Sequence, residues 1–188
     1  MDYEFTEDWF SENNPEKVVR QFDEFLSEFK DKTSTFLEIG SFEGMSTIWM
    51  LENILTNKES RLFCIDAWAD WTDNAFVRFV SNINKTGLKD KVRIVKGDSS
   101  EELRMFPSEY FDFVYVDGDH DEKAVIKDAI SSFRVLKKGG IMRIVTPDFE
   151  NQVMEYLSLL NQMKSDPDNI NNSLKPFIRT CIFRVNAG

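Results

Sequence analysis

Cysteine is scarce in this sequence, and its two copies, Cys64 and Cys181, lie far apart in apolar, strand-like runs. They read as buried reduced thiols, in keeping with a reducing compartment and not a disulfide framework. Histidine is scarcer still, with His120 the only copy. Basic residues are outnumbered, 23 Lys and Arg against 33 Asp and Glu, for a net charge of -10. That balance argues against non-specific nucleic-acid binding, which needs a basic surface to displace phosphate counterions. No apolar run approaches membrane-spanning length, and the acidic start lacks a signal peptide's basic and apolar regions. A cytoplasmic protein with no membrane partner is expected.

What is present is an ordinary folded composition of 188 residues, 41% hydrophobic and 30% charged, unusually rich in Phe with 17 copies. One domain is expected: an N-terminal helical lid or cap over 1–33, then a cofactor-binding core over 34–188. The most informative stretch is Thr35–Trp49, T-F-L-E-I-G-S-F-E-G-M-S-T-I-W. An apolar run ends in an acid, turns through Gly40 and Gly44, and resumes with helical spacing. This is the strand, glycine turn and helix start that holds a nucleotide-like cofactor at a strand's carboxyl end. Glu38 and Glu43 in or beside the turn would repel a pyrophosphate. S-adenosylmethionine, with an ammonium and a sulfonium and no phosphate, suits such a turn better than NAD.

Strands and helices alternate along the chain. Helices are expected over 15–30 (Pro15 near the start), Met45–Leu55, Asn74–Lys85 (stopped by Gly87), Ser100–Phe106, Lys123–Leu136 and Phe149–Met163. Strands are expected at Thr35–Gly40, Arg61–Trp68, Val92–Gly97, Phe111–Val116 and Ile141–Val145. Lys137-Lys138-Gly139-Gly140 reads as the stop after the fifth of these helices. A loop of turn formers, Ser165–Ser173, follows, and Phe177–Val185 supplies one comfortable strand or two cramped ones. Nearly continuous apolar strands imply burial on both faces, hence an α/β, Rossmann-like, doubly wound and mostly parallel sheet with helices on both sides. Right-handed crossovers bring Glu38, Asp66, Asp98 and Asp117 to one edge. A reduced C-terminal sheet edge with Phe177, Ile178, Ile182 and Phe183 would be sticky, so a homo-oligomer through that edge is expected.

The ordered motifs D-W-F near Trp9, L-E-I-G-S-F-E-G-M-S, C-I-D-A-W, V-K-G-D-S-S-E-E-L, D-F-V-Y-V-D-G-D-H and L-K-K-G-G-I-M resemble class I S-adenosylmethionine-dependent methyltransferases. The likeness is to a group acting on small molecules or glycans, and it runs from about Phe5 to Gly140. It implies S-adenosylmethionine as cofactor and O-methylation of a small molecule or sugar. By this resemblance Glu38 and the Gly40, Ser41 and Gly44 backbone hold the methionine portion, with Ser46 near its carboxylate. Asp66 accepts from both ribose hydroxyls, Ala67 and Trp68 flank the adenosine, and Asp98 with Ser99 meets the adenine edge. Asp117 lies beside the methionine end and the transferring methyl.

Asp117-Gly-Asp-His-Asp121 then holds the chemistry. A hydroxyl acceptor is a poor nucleophile until its proton is taken, and an imidazole ordinarily titrates near neutrality, so His120 is the expected base with Asp117 as the organising acid. Asp119 or Asp121 capping the next helix, with His120 facing solvent, is the bland rival. The Asp117, Asp119, Asp121 spacing mimics a calcium loop, but Glu122 stands where glycine is needed. Arg143-Ile-Val-Thr-Pro-Asp148 replaces an Asp-Asp pair that relatives use for a divalent metal, so no metal is expected. The missing pair and the short C-terminal edge support a non-catalytic S-adenosylmethionine-binding module as one alternative. A nicotinamide-dependent oxidoreductase is the other, though G-x-x-x-G lacks the middle glycine that admits pyrophosphate.

Overall fold

The computed structural model describes residues 2–6, 10, 18–69, 74–145 and 180–184. Five strands run parallel: β1 (Thr35–Ile39), β2 (Arg61–Asp66), β3 (Val92–Lys96), β4 (Phe111–Val116) and β5 (Leu136–Val145). A sixth, β6 (Thr180–Arg184), pairs antiparallel with β5, and the sheet order is β3-β2-β1-β4-β5-β6. The sheet is thus Rossmann-like and doubly wound, with its switch point between β1 and β4, where such sheets open a crevice at their carboxyl ends.

Strand alternation sorts the side chains onto two faces. Phe36, Leu62, Phe113 and Ile141 pack with Phe22 and Leu26 of α1 (Val18–Leu26), Met50 and Leu51 of α2 (Met45–Asn53), and Phe79 and Ile83 of α3 (Ala75–Thr86). Leu37, Ile39, Ile65, Val114, Val116, Met142 and Ile144 pack on the other side. There they meet Leu103, just beyond α4 (Ser99–Glu102), and Val125 and Val135 of α5 (Glu122–Val135). The N-terminal region joins this packing: Phe10 is buried, 5.1 Å from the Phe22 ring and 6.0 Å from Trp49. Residues 2–6 are strapped to α3, where Asn82 exchanges bonds with Glu4 N and O, both at 2.9 Å.

Element boundaries differ most from expectation in the fifth strand, the first helix and the helix expected over Ser100–Phe106, which is α-helical only to Glu102 and then a 3-10 turn over Leu103–Met105. The fifth strand starts at Leu136, five residues early, because Lys137-Lys138-Gly139-Gly140 stays extended. Lys137 Nζ binds both oxygens of Asp112 at 2.9 Å, Gly139 takes φ +79°, and a register shift between Phe111 and Phe113 absorbs the irregularity. The first helix ends at Leu26 and gives way to a single 3-10 turn over Ser27–Phe29. At its outer edge the sheet presents β3, with Arg93, Ile94 and Lys96 exposed. Trp9, Pro15, Trp71, Thr146–Asp148, the expected helix Phe149–Met163, the loop Ser165–Ser173 and Phe177–Ile178 lie outside the described residues.

Candidate functional site

Three backbone bonds bind the strand-end loops into one rim. Gly40 N donates to Ile65 O at 2.9 Å, Gly97 N to Asp66 O at 3.0 Å, and Asp117 N to Ile39 O at 2.8 Å. Gly40 has φ +85°, and a Cβ there would stand 2.0 Å from the backbone oxygen of Asp117. Only glycine lets β1 and β4 close together at the switch point. Gly44, at φ +88°, precedes α2, and a Cβ on it would press the Phe79 ring at 3.0 Å.

The four strand-end acids do not play one part. Glu38 is fully buried and accepts from the hydroxyls of Ser41 at 2.9 Å, and of Ser46 and Thr47. Burial outweighs these donors and raises its pKa to about 7. Ser41 and Ser46 therefore turn their hydroxyls inward, beneath the turn. Glu43 is buried as well, paired with Arg78 and accepting from Thr6 N at 2.7 Å. The repulsion of pyrophosphate expected from Glu38 and Glu43 thus loses its basis: one carboxyl sits inside the fold and the other is neutralised by a guanidinium.

Asp66, Asp98 and Asp117 do reach the rim. Asp66 fastens the turn from outside, Oδ2 accepting from Phe42 N at 2.8 Å and Oδ1 from Trp68 N at 2.7 Å. Each oxygen keeps a lone pair for a further donor. Ala67 is exposed beside it. Trp68 is buried, 4.9 Å from both Phe76 and Phe79, with Nε1 donating to Phe42 O at 2.8 Å. Asp98 is exposed and caps α4 through Ser100 N at 2.8 Å, while Ser99 donates to Asp128 of α5. Asp117 accepts from the Tyr115 hydroxyl at 2.6 Å. Burial raises its pKa, and Tyr115, His120 and Arg143 pull it back. His120 is exposed in the loop next to it. Asp121 is the cap of α5, accepting from Lys123 N at 3.1 Å and Ala124 N at 3.4 Å.

Sequence reasoning passed over three residues. Phe42 is 37% exposed at the rim with φ +45°, held by Asp66 and Trp68; a bulky residue between two turn glycines was the available signal. Tyr115 and Arg143 sit under α1, and an arginine inside an apolar strand run was the signal there. A separate cavity of about 550 Å³, lined by Val80, Ile83, Lys89 and Val92 among others, opens near the amino ends of β2 and β3, away from the rim. Among the described residues no three His, Cys, Asp or Glu side chains gather as metal ligands. No described helix is long and apolar enough to cross a membrane.

The model of a family described as "Methyltransferase domain" matches residues 37–144, more than half of the chain. No curated protein matches. Among solved structures, a protein of Clostridium thermocellum provisionally named an rRNA methylase is 17% identical with a TM-score of 0.65, over 90% of this chain and 97% of that one. One from Klebsiella pneumoniae, provisionally named an O-methyltransferase, is 16% identical with a TM-score of 0.64, over 96% and 84%. The [4+2]-cyclase SpnF is 15% identical with a TM-score of 0.51, over 67% of this chain but 44% of its own length. At such identities the likeness is one of fold.

Proposed function

The chain belongs to the methyltransferase-domain family, and from that premise we propose that it methylates an oxygen of a small molecule or sugar. The family places it among class I S-adenosylmethionine-dependent methyltransferases, with S-adenosylmethionine as methyl donor. The observation that carries the reading is the convergence of Asp66 and Asp117 on the Gly40–Gly44 turn. Acceptor-only carboxylates beside a glycine turn fit a ligand bearing an ammonium, a sulfonium and ribose hydroxyls. They do not fit a phosphate.

In this reading the Gly40, Ser41 and Gly44 backbone holds the methionine portion, with Glu38 and Ser46 bracing the turn from below. Asp66 takes the ribose hydroxyls, and Ala67, Asp98 and Ser99 border the adenosine, with the buried Trp68, expected to flank it, instead bracing Phe42 from within. Phe42 offers an aromatic face there. Asp117 receives the cationic end, next to the point of transfer. The bound donor supplies an electrophilic methyl group on sulfur. His120 takes the proton from the acceptor hydroxyl, and the rim loops hold that oxygen in line. A net charge of -10 favours a small or neutral acceptor over a polyanion such as RNA.

Isothermal titration should give binding of S-adenosylmethionine and S-adenosylhomocysteine, and silence with both would defeat the proposal. Labelled S-adenosylmethionine incubated with fractionated metabolites and glycans should mark an oxygen of the product; label on nitrogen, carbon or RNA would correct the acceptor class. His120→Ala should lower turnover about 10²- to 10⁴-fold, far more than any change in donor affinity. Full turnover in that variant removes His120 as the base.

A further inference from the structure

One row of side chains across the α1–α2 side of the sheet breaks the apolar rule. Register places Cys64 beside Glu38, Glu38 beside Tyr115, and Tyr115 beside Arg143. Arg143 is 2% exposed in the middle of β5. Its guanidinium lies 4.7 Å from the centre of the Phe22 ring and 5.3 Å from that of Tyr115, and Nη2 donates to Gln21 Oε1 of α1 at 2.9 Å. The Tyr115 ring is clasped edge-on by Phe22 at 4.9 Å, which aims its hydroxyl at Asp117 Oδ2, 2.6 Å away. A buried cation costs several kcal/mol unless something anionic or π-rich answers it. Here the answering groups lead to the rim acid.

We infer that Tyr115 and Arg143 are positioning residues for donor binding: Arg143 holds the Tyr115 ring, and the Tyr115 hydroxyl fixes the orientation of the Asp117 carboxylate for a cationic ligand. The inference rests on the reading of Asp117 as the group that meets the donor's charged end. The groups that bear on Asp117 are Tyr115 on its own strand, His120 in its own loop, Arg143 on β5 and Glu38 on β1. Burial favours the neutral acid, while the Tyr115 hydroxyl, the imidazole and the guanidinium favour the anion; the Asp117 anion in turn raises the Glu38 carboxyl. Removing the hydroxyl alone tilts the balance toward protonation, so affinity for the donor is lost at a higher pH than in the wild type. Through Phe22 and Gln21 the same row ties the seating of α1 to the ionisation of the rim.

The test is the affinity for S-adenosylmethionine measured calorimetrically from pH 5 to 9, with the melting temperature of ligand-free protein as the folding control. Tyr115→Phe keeps the ring packed on Phe22; its Kd at pH 7.5 should rise about tenfold, with the acid limb of the profile moved to higher pH. Arg143→Gln should move the limb in the same direction and Arg143→Lys should restore part of it. A role in packing alone would leave the limb in place. Superimposable profiles for Tyr115→Phe and wild type, with Asp117→Asn still weakened, overturn the inference and leave the Asp117 reading standing. An Asp117→Asn variant that binds like wild type overturns both. If the Arg143 variants do not fold, Tyr115→Phe decides alone.

Discussion

The two faces of the sheet are built from the same strands and to different rules. Toward α4 and α5, the rows Leu37–Phe63–Val114–Met142 and Ile39–Ile65–Val116–Ile144 are wholly apolar. Toward α1, α2 and α3, an apolar row headed by Phe36 is followed by Cys64, Glu38, Tyr115 and Arg143, two residues further along each strand. The apolar face only has to hold the strands together, and transfer of hydrocarbon from water does that without direction. The mixed face lies beneath the rim, where charges need fixed positions, and fixed positions require hydrogen bonds at some expense of stability.

That contrast can be broken most severely at the seam. Gly40→Ala sets a methyl group 2.0 Å from the Asp117 carbonyl oxygen and should cost about 4 kcal/mol or more, read as failure of cooperative unfolding. A variant with a wild-type melting curve would mean the two loops separate easily. On the apolar face, Leu37→Ala should lose about 2–5 kcal/mol in urea unfolding. Its folded fraction should still bind S-adenosylmethionine with unchanged Kd; a large change would show the apolar face reaching the site.

The mixed face should answer to pH. The Glu38 carboxyl has a folded pKa of about 7 against an ordinary value of 4.5. Because the folded value is the higher one, the folded state binds the extra proton between them. The contribution of Glu38 to stability is therefore full below about pH 4.5 and is lost as pH rises through 7, by up to about 3 kcal/mol. Glu38→Gln should flatten that part of the curve in unfolding measured from pH 5 to 8. An unaltered slope would mean the carboxyl titrates as it does in water. The smallest effect is expected at a cap. Asp121→Ala removes the acceptor at the start of α5 and should cost about 1 kcal/mol, with Asp121→Ser recovering most of it.

The parallel strands were legible because their periodicity and their Gly and Asp endings are local signals. The extension of β5 through Lys137-Lys138-Gly139-Gly140 was not, because Asp112, which holds Lys137, comes from a different strand. Asp66, Asp98 and Asp117 were found as rim acids from position alone. The direction of Glu38 depended on three hydroxyls reaching back from the turn and from α2. The same applies to Ser99, which turns to Asp128 twenty-nine residues away. Position along a strand predicted which edge a residue occupies, whereas the partner that decides its orientation lay elsewhere in the chain.

The exposed β3 edge has a consequence for how copies of the chain meet. An open strand invites another to continue the sheet, and Ile94 would welcome it. Arg93 and Lys96 flank that isoleucine. A second copy docking by the same strand would set its own cations about 5 Å from these, one strand spacing away. In a molecule otherwise acidic, this margin carries like positive charge and turns its twin aside.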